Sequence, residues 1–202
     1  MKVFAQFISL VFHPIFVPTY AILFLVWCNP YEFGQMDSYD AFFIIRTAVL
    51  YSILYPLFVV VLMRLLDFID SYEMRDRKNR ILVFIPTSFF LWWTFIVFLK
   101  SDYNEILSDV MLGATISISI ALVVTSIFSK ISLHAIGMGG LFAIVLFSVN
   151  IAAKDVSMFL FASIFVAGLV GTCRMWLDAH DLREVYNGYL VGFLSMLFAF
   201  IV

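Results

Sequence analysis

The run Cys173-Arg174-Met175-Trp176-Leu177-Asp178-Ala179-His180-Asp181-Leu182-Arg183-Glu184 gathers side chains that can do chemistry. Glu184 stands four residues after His180. On a helix, positions i and i+4 share a face, so the carboxylate can hold the imidazole in one tautomer and one orientation. That suits a nucleophilic or an acid–base histidine. Arg174, six residues before the histidine, adds a permanently charged fork of donors that matches anionic oxygens. The cluster lies between two strongly apolar segments. Ionisable residues are costly there and suggest a functional site by default. The structural alternative is an interfacial helix cap with snorkelling side chains, and the rest of the chain must decide between the two.

Of the 202 residues, 64% are hydrophobic and 13% charged, and the mean hydropathy is +1.06. Globular chains run at about 45–50% apolar and about 25% charged. The chain is therefore read as an all-α, multi-pass integral membrane protein. Cys28 and Cys173 offer no disulfide framework. His13, His134 and His180 are far apart in sequence, with no cysteine or second histidine nearby, so no metal-ligand spacing is present. There is no glycine-rich phosphate loop and no basic patch for nucleic acid.

The elements that must position the cluster follow from the apolar runs. These cover residues 3–28, 41–66, 81–99, 106–129, 135–152, 156–177 and 184–202, each approaching the ~20 residues needed to cross a bilayer. The start resembles a signal peptide, but no small-x-small cleavage site follows, and it is kept as a span. His13-Pro14 and Pro18 lie inside it, so a kink or a broken helix is expected. His13 is expected to bond a backbone group freed by that kink, with a buried functional role as the alternative. Pro56 interrupts the second run. With no internal repeat or linker, residues 1–202 read as a single domain, a bundle of six to seven transmembrane helices. Polar connections fall at Asn29–Asp40 (with Pro30 and Gly34), Asp67–Arg80 (with Arg75), Lys100–Asn104, Lys130–His134, Lys154–Asp155 and Asp178–Glu184. If all seven runs cross, residues 67–80, 130–134 and 178–184 share one membrane face with the N-terminus. That face carries Lys2, Arg64, Arg75, Arg77, Lys78, Arg80, Lys130, Arg174 and Arg183, against Arg46, Lys100 and Lys154 on the other. The positive-inside rule puts the richer face in the cytoplasm, in a plasma (inner) membrane.

These residues resemble the type 2 phosphatidic acid phosphatase (PAP2) superfamily, whose motifs are Lys-x6-Arg-Pro, Pro-Ser-Gly-His and Ser-Arg-x5-His-x3-Asp. Cys173-Arg174-x5-His180-x3-Glu184 keeps the third, with Cys for Ser and Glu for Asp. Ile131-Ser132-Leu133-His134 keeps Ser and His of the second. Lys78-x6-Ile85-Pro86 keeps Lys and Pro of the first, with Ile in place of Arg. The resemblance covers roughly residues 78–192. It implies a phosphohistidine mechanism without metal or cofactor. His180 would be the nucleophile, Glu184 its orienting carboxylate and His134 the general acid. Lys78, Ser132 and Arg174 would hold the phosphate oxygens, with Arg77 and Arg80 as the near substitutes for the cation lost at Ile85. The implied substrate is a membrane lipid phosphate, such as phosphatidic acid, phosphatidylglycerol phosphate, a polyprenyl diphosphate or a lipid A phosphate. The alternative is a catalytically inactive PAP2-like scaffold or an anion- or lipid-binding membrane protein. A transporter would want charges near the bilayer midplane, and His13 in the kinked first span is the one hint of that. Gly188-x3-Gly192 suits a close helix contact, inside the bundle or in a homo-oligomer.

Overall fold

The computed structural model describes residues 2–29, 33, 38–71, 76–128 and 130–202. Pro30, Gly34 and Arg75, read above in polar connections, lie outside these residues. The fold is all-helical, with 81% helix and no strand among the described residues.

The first apolar stretch is not one rod. Helices α1 (Lys2–Val11) and α2 (Val17–Cys28) flank a break at residues 12–16. Pro14 cannot supply a helical N–H, while Pro18 sits in the first turn of α2, where a missing N–H costs nothing. At 10 and 12 residues, neither helix has the length to cross alone. The second stretch comprises α3 (Ser38–Val49), a π-helical turn (Leu50–Leu54) and α4 (Tyr55–Leu65). The wide turn lies just before Pro56, whose ring would meet the Ser52 carbonyl in a regular helix. It also presents Ser52 to α2: the Ser52 hydroxyl donates to the Ala48 carbonyl at 2.7 Å and lies 3.0 Å from the Thr19 hydroxyl.

The chain continues through α5 (Arg77–Leu99), α6 (Ile106–Ile127), α7 (Leu133–Ile151), α8 (Ser157–Trp176) and α9 (Leu182–Ala199). Among the described residues, five elements are long and apolar enough to cross a membrane: Tyr39–Leu65, α5, α6, α7 and α8. The broken first stretch falls short of that measure, and so does α9, which carries Arg183 and Glu184 in its first turn.

Contacts between connections fix which helix ends lie together. At one end, the Tyr103 hydroxyl donates to Asp40, and the Ala153 N–H donates to the Cys28 carbonyl. At the other, the Ser132 N–H donates to the Glu184 carbonyl at 3.3 Å. The α1–α2 break, the start of α5, the start of α7 and the α8–α9 connection line one cavity there. The convergence expected from alternating spans is thus present in the fold.

Helices α7 and α9 hold that end rigid. A methyl group on Gly139 would meet the Tyr189 carbonyl, and one on Gly192 would meet the Ile136 carbonyl. Only glycine lets the two backbones approach this closely. Gly188 packs on Ala135 and Ser132 in the same seam, so the Gly188-x3-Gly192 pair serves a contact inside the bundle. Helix α1 lies on α8, with Ala5 and Ile8 in a buried cluster with Val170 and Cys173.

Candidate functional site

The site is built on how α8 stops and α9 starts. Helix α8 ends with Asp178 in the left-handed region, at φ 53°. The Asp178 N–H donates to the Met175 carbonyl at 3.0 Å, and the Ala179 N–H to the Arg174 carbonyl at 3.2 Å. This is the Schellman pattern, which satisfies the last carbonyls and turns the chain sharply. Asp181 then caps α9, its carboxylate accepting from the Glu184 N–H at 2.8 Å. His180 sits between the two caps. Its backbone is pinned on both sides before its side chain makes any contact.

The His180 Nδ1 lies 2.7 Å from Glu184 Oε2. The carboxylate only accepts, so Nδ1 carries the hydrogen and Nε2 keeps its lone pair. The side chains are 8% and 17% exposed, so the pair is largely shielded from water. Burial lowers the His180 pKa below its usual value, and the Arg174 and Arg80 charges add to this, against the raising effect of Glu184. The ring is therefore neutral near pH 7, the form a nucleophile or base requires.

A cavity of about 1040 Å³ opens beside this pair. Its polar end is lined by His13, Arg80, Lys130, His134, Arg174 and His180. Its far end is apolar, with Phe84, Leu91, Val110, Ile118, Ile144 and Met196. Arg80 and Leu91 both line it and are eleven residues apart on α5, so it extends about 16 Å along that helix. Arg174 points a buried Nε at no partner. Three cations and the neutral His180 ring thus gather at one end, against the carboxylates of Asp178 and Glu184. The arrangement suits an anionic head with an apolar tail.

Comparison with family models, with curated proteins and with solved structures finds no match to this chain. The site therefore stands on its own geometry.

The structure brings together some of the residues expected from the sequence and not others. His180, Glu184, His134, Arg174 and Arg80 gather at the polar end. Arg77 and Lys78 are exposed and do not line the cavity. Ile85, at the position that the resemblance compares with a motif arginine, is 52% exposed on the outside of α5. The phase of α5 explains this. Arg80, Val83, Phe84, Thr87 and Leu91 form its cavity stripe, and Lys78 lies about 200° of helical turn from Arg80. Ser132 is fully buried, and its hydroxyl caps α7 by accepting from the Ala135 N–H. It is absent from the cavity wall, so its role is to start the helix that carries His134. Cys173 is buried in the α1–α8 contact, which accounts for a small apolar side chain there.

His134 Nε2 lies 3.0 Å from the Ser9 carbonyl of α1. A carbonyl only accepts, so this nitrogen holds the hydrogen and is occupied. His13 was read mainly as a partner for kinked backbone, and its Nδ1 does accept from the Ile15 N–H at 3.3 Å. Yet its ring also lines the cavity and meets the His134 ring edge-on, with centroids 5.3 Å apart. A histidine beside a proline inside an apolar run is the signal that pointed to His13, and Ser132-x-His134 the one that pointed to His134; no pattern in the sequence paired the two rings.

Proposed function

We propose that this chain is a membrane-embedded lipid phosphatase of the PAP2 type, which hydrolyses a lipid phosphate ester through a phosphohistidine on His180. The observation that carries this reading is the 2.7 Å His180–Glu184 bond at the cationic end of a long apolar cavity. The bond leaves Nε2 unprotonated and aimed for attack, and the carboxylate offsets the positive charge that the ring gains on phosphorylation. Arg174 and Arg80 supply fixed charge to the phosphoryl oxygens, where phosphoryl transfer needs most of its help. The lipid tail occupies the apolar depth between α2, α4, α5 and α6.

In the first step the His180 Nε2–phosphorus bond forms and the phosphorus–oxygen bond to the lipid breaks. The electron pair leaves with the oxygen, which takes a proton. Water then attacks phosphorus, releasing phosphate and free His180. The reading further places six to seven spans in the bilayer, with α9 and the broken first stretch completing the bundle, in a plasma membrane.

A second reading, a non-catalytic anion or lipid binder, draws on the outward Ile85 and the capped Ser132. One assay separates the two: phosphate release from a panel of lipid phosphates by detergent-purified protein, with His180→Ala alongside. Release that vanishes in the variant supports the phosphatase. A folded wild type that binds lipid phosphate and releases nothing supports the binder.

A further inference from the structure

How long a lipid tail the cavity can take follows from its depth; this step rests on the phosphatase reading, which puts the phosphate at the cationic end. Two helices measure the depth. Arg80 and Leu91 are eleven residues apart on α5, and His134 and Ile144 are ten apart on α7. At the helical rise, both give about 15–16 Å. Helix α6 runs the other way and contributes Val110 at the same far end. Beyond this level the wall stops. Leu25, Phe98 and Leu107 lie there, buried in one apolar cluster and absent from the cavity wall. Packed side chains therefore close the far end.

Met196 completes that floor. It is the single residue that α9 gives to the cavity wall. Its side chain lies in a notch made by glycines of two other helices. A methyl group on Gly113 of α6 would meet the Met196 sulfur, and one on Gly140 of α7 would stand 3.7 Å from the Met196 terminal carbon. An unbranched thioether fills such an irregular gap well, and a side chain at position 113 would displace it.

We infer that Met196 is a specificity-determining residue that sets the longest tail the site accepts. Carbon–carbon bonds of ~1.5 Å advance an extended chain by about 1.25 Å each. A depth of about 15–16 Å thus takes a straight tail of about twelve carbons. Moving a tail from lipid into the cavity exchanges one apolar medium for another, so burial alone favours no length. Discrimination comes from overpacking: a longer tail must fold back or force the floor. The substrate class this defines is a phosphate ester with a medium-length tail.

The test uses n-alkyl phosphonates, which bind as phosphate esters do and cannot be hydrolysed. A series of tails shorter and longer than the limit is titrated at fixed detergent concentration, and binding is read from the rise in thermal midpoint. The midpoint without phosphonate reports that each variant is folded. Wild type should bind tails up to about twelve carbons alike and lose about tenfold or more in affinity for tails about four carbons longer. Met196→Ala should move the break to tails about three carbons longer, the length of side chain removed. Gly113→Ala should move it to shorter tails. Leu194→Ala, on the outer face of α9 and off the cavity, should leave it in place. A wild-type profile without a break would overturn the inference, and so would a break that stays put in folded Met196→Ala. Phosphate release from the matching alkyl phosphates is followed in parallel. A break that moves with Met196 while no phosphate is released keeps the length limit and removes the phosphatase reading instead.

Discussion

Replacing Glu184 with glutamine removes one charge while keeping the shape and one acceptor oxygen. In wild type the His180–Glu184 contact is 2.7 Å, with side chains 8% and 17% exposed. In the proposed mechanism, phosphorylation of His180 would turn its ring cationic and give the carboxylate a full charge to interact with. At an effective dielectric constant of about 20, unit charges ~4 Å apart interact by about 4 kcal/mol. The amide still accepts the Nδ1 hydrogen and returns about 1 kcal/mol of that. A net loss of about 3 kcal/mol corresponds to a rate lowered by somewhat more than 100-fold. The assay is single-turnover phosphate release from a lipid phosphate, with circular dichroism and gel filtration to verify the fold. Glu184→Ala, which removes the acceptor as well, should be slower still. A Glu184→Gln enzyme within threefold of wild type would refute the reasoning, because it would mean that no charge develops on His180.

Further outcomes follow from other parts of the structure. Arg80→Ala should cut activity by about 100-fold or more, the scale for losing a charge-stabilising group. Lys78→Ala, exposed and off the cavity, should stay within about threefold; the reverse ranking in the same assay would restore the motif spacing over the helix phase. Gly192→Ala forces a methyl group against the Ile136 carbonyl and should cost about 1–3 kcal/mol of stability, read as a lower thermal midpoint in detergent. Activity should fall with it, since α7 carries His134 and α9 carries Glu184.

The sequence made the local chemistry legible and left the long-range chemistry hidden. An i, i+4 spacing is a local fact, so the His180–Glu184 pair could be read directly, and it is present at 2.7 Å. Counting apolar runs was enough to bring Arg80, residues 130–134 and residues 178–184 to one end. The choice among Lys78, Arg77 and Arg80 was not legible, because it turns on the rotation of α5 about its axis. That rotation is set by which face packs on α6, and α5 is apolar nearly all round. Ser132 carried the right letter for a phosphate ligand, but the N-cap position spends its hydroxyl on the Ala135 N–H. The break at Pro14 was expected from proline chemistry. That it sets His13 against His134 depends on α1 docking along α8 through Ala5 and Ile8, a contact between small apolar residues with no pattern of its own. The π-helical turn at Leu50–Leu54 was likewise invisible beyond the presence of Pro56.

The central claim is that His180 takes the phosphoryl group. The most direct measurement is to quench wild type after milliseconds with a radiolabelled lipid phosphate, then digest it and locate the label by mass. The account predicts an acid-labile, base-stable phosphoramidate on the peptide containing His180, absent in His180→Ala and accumulating when hydrolysis is slowed. Turnover with no trappable phosphoenzyme, or label on any other residue, would contradict it.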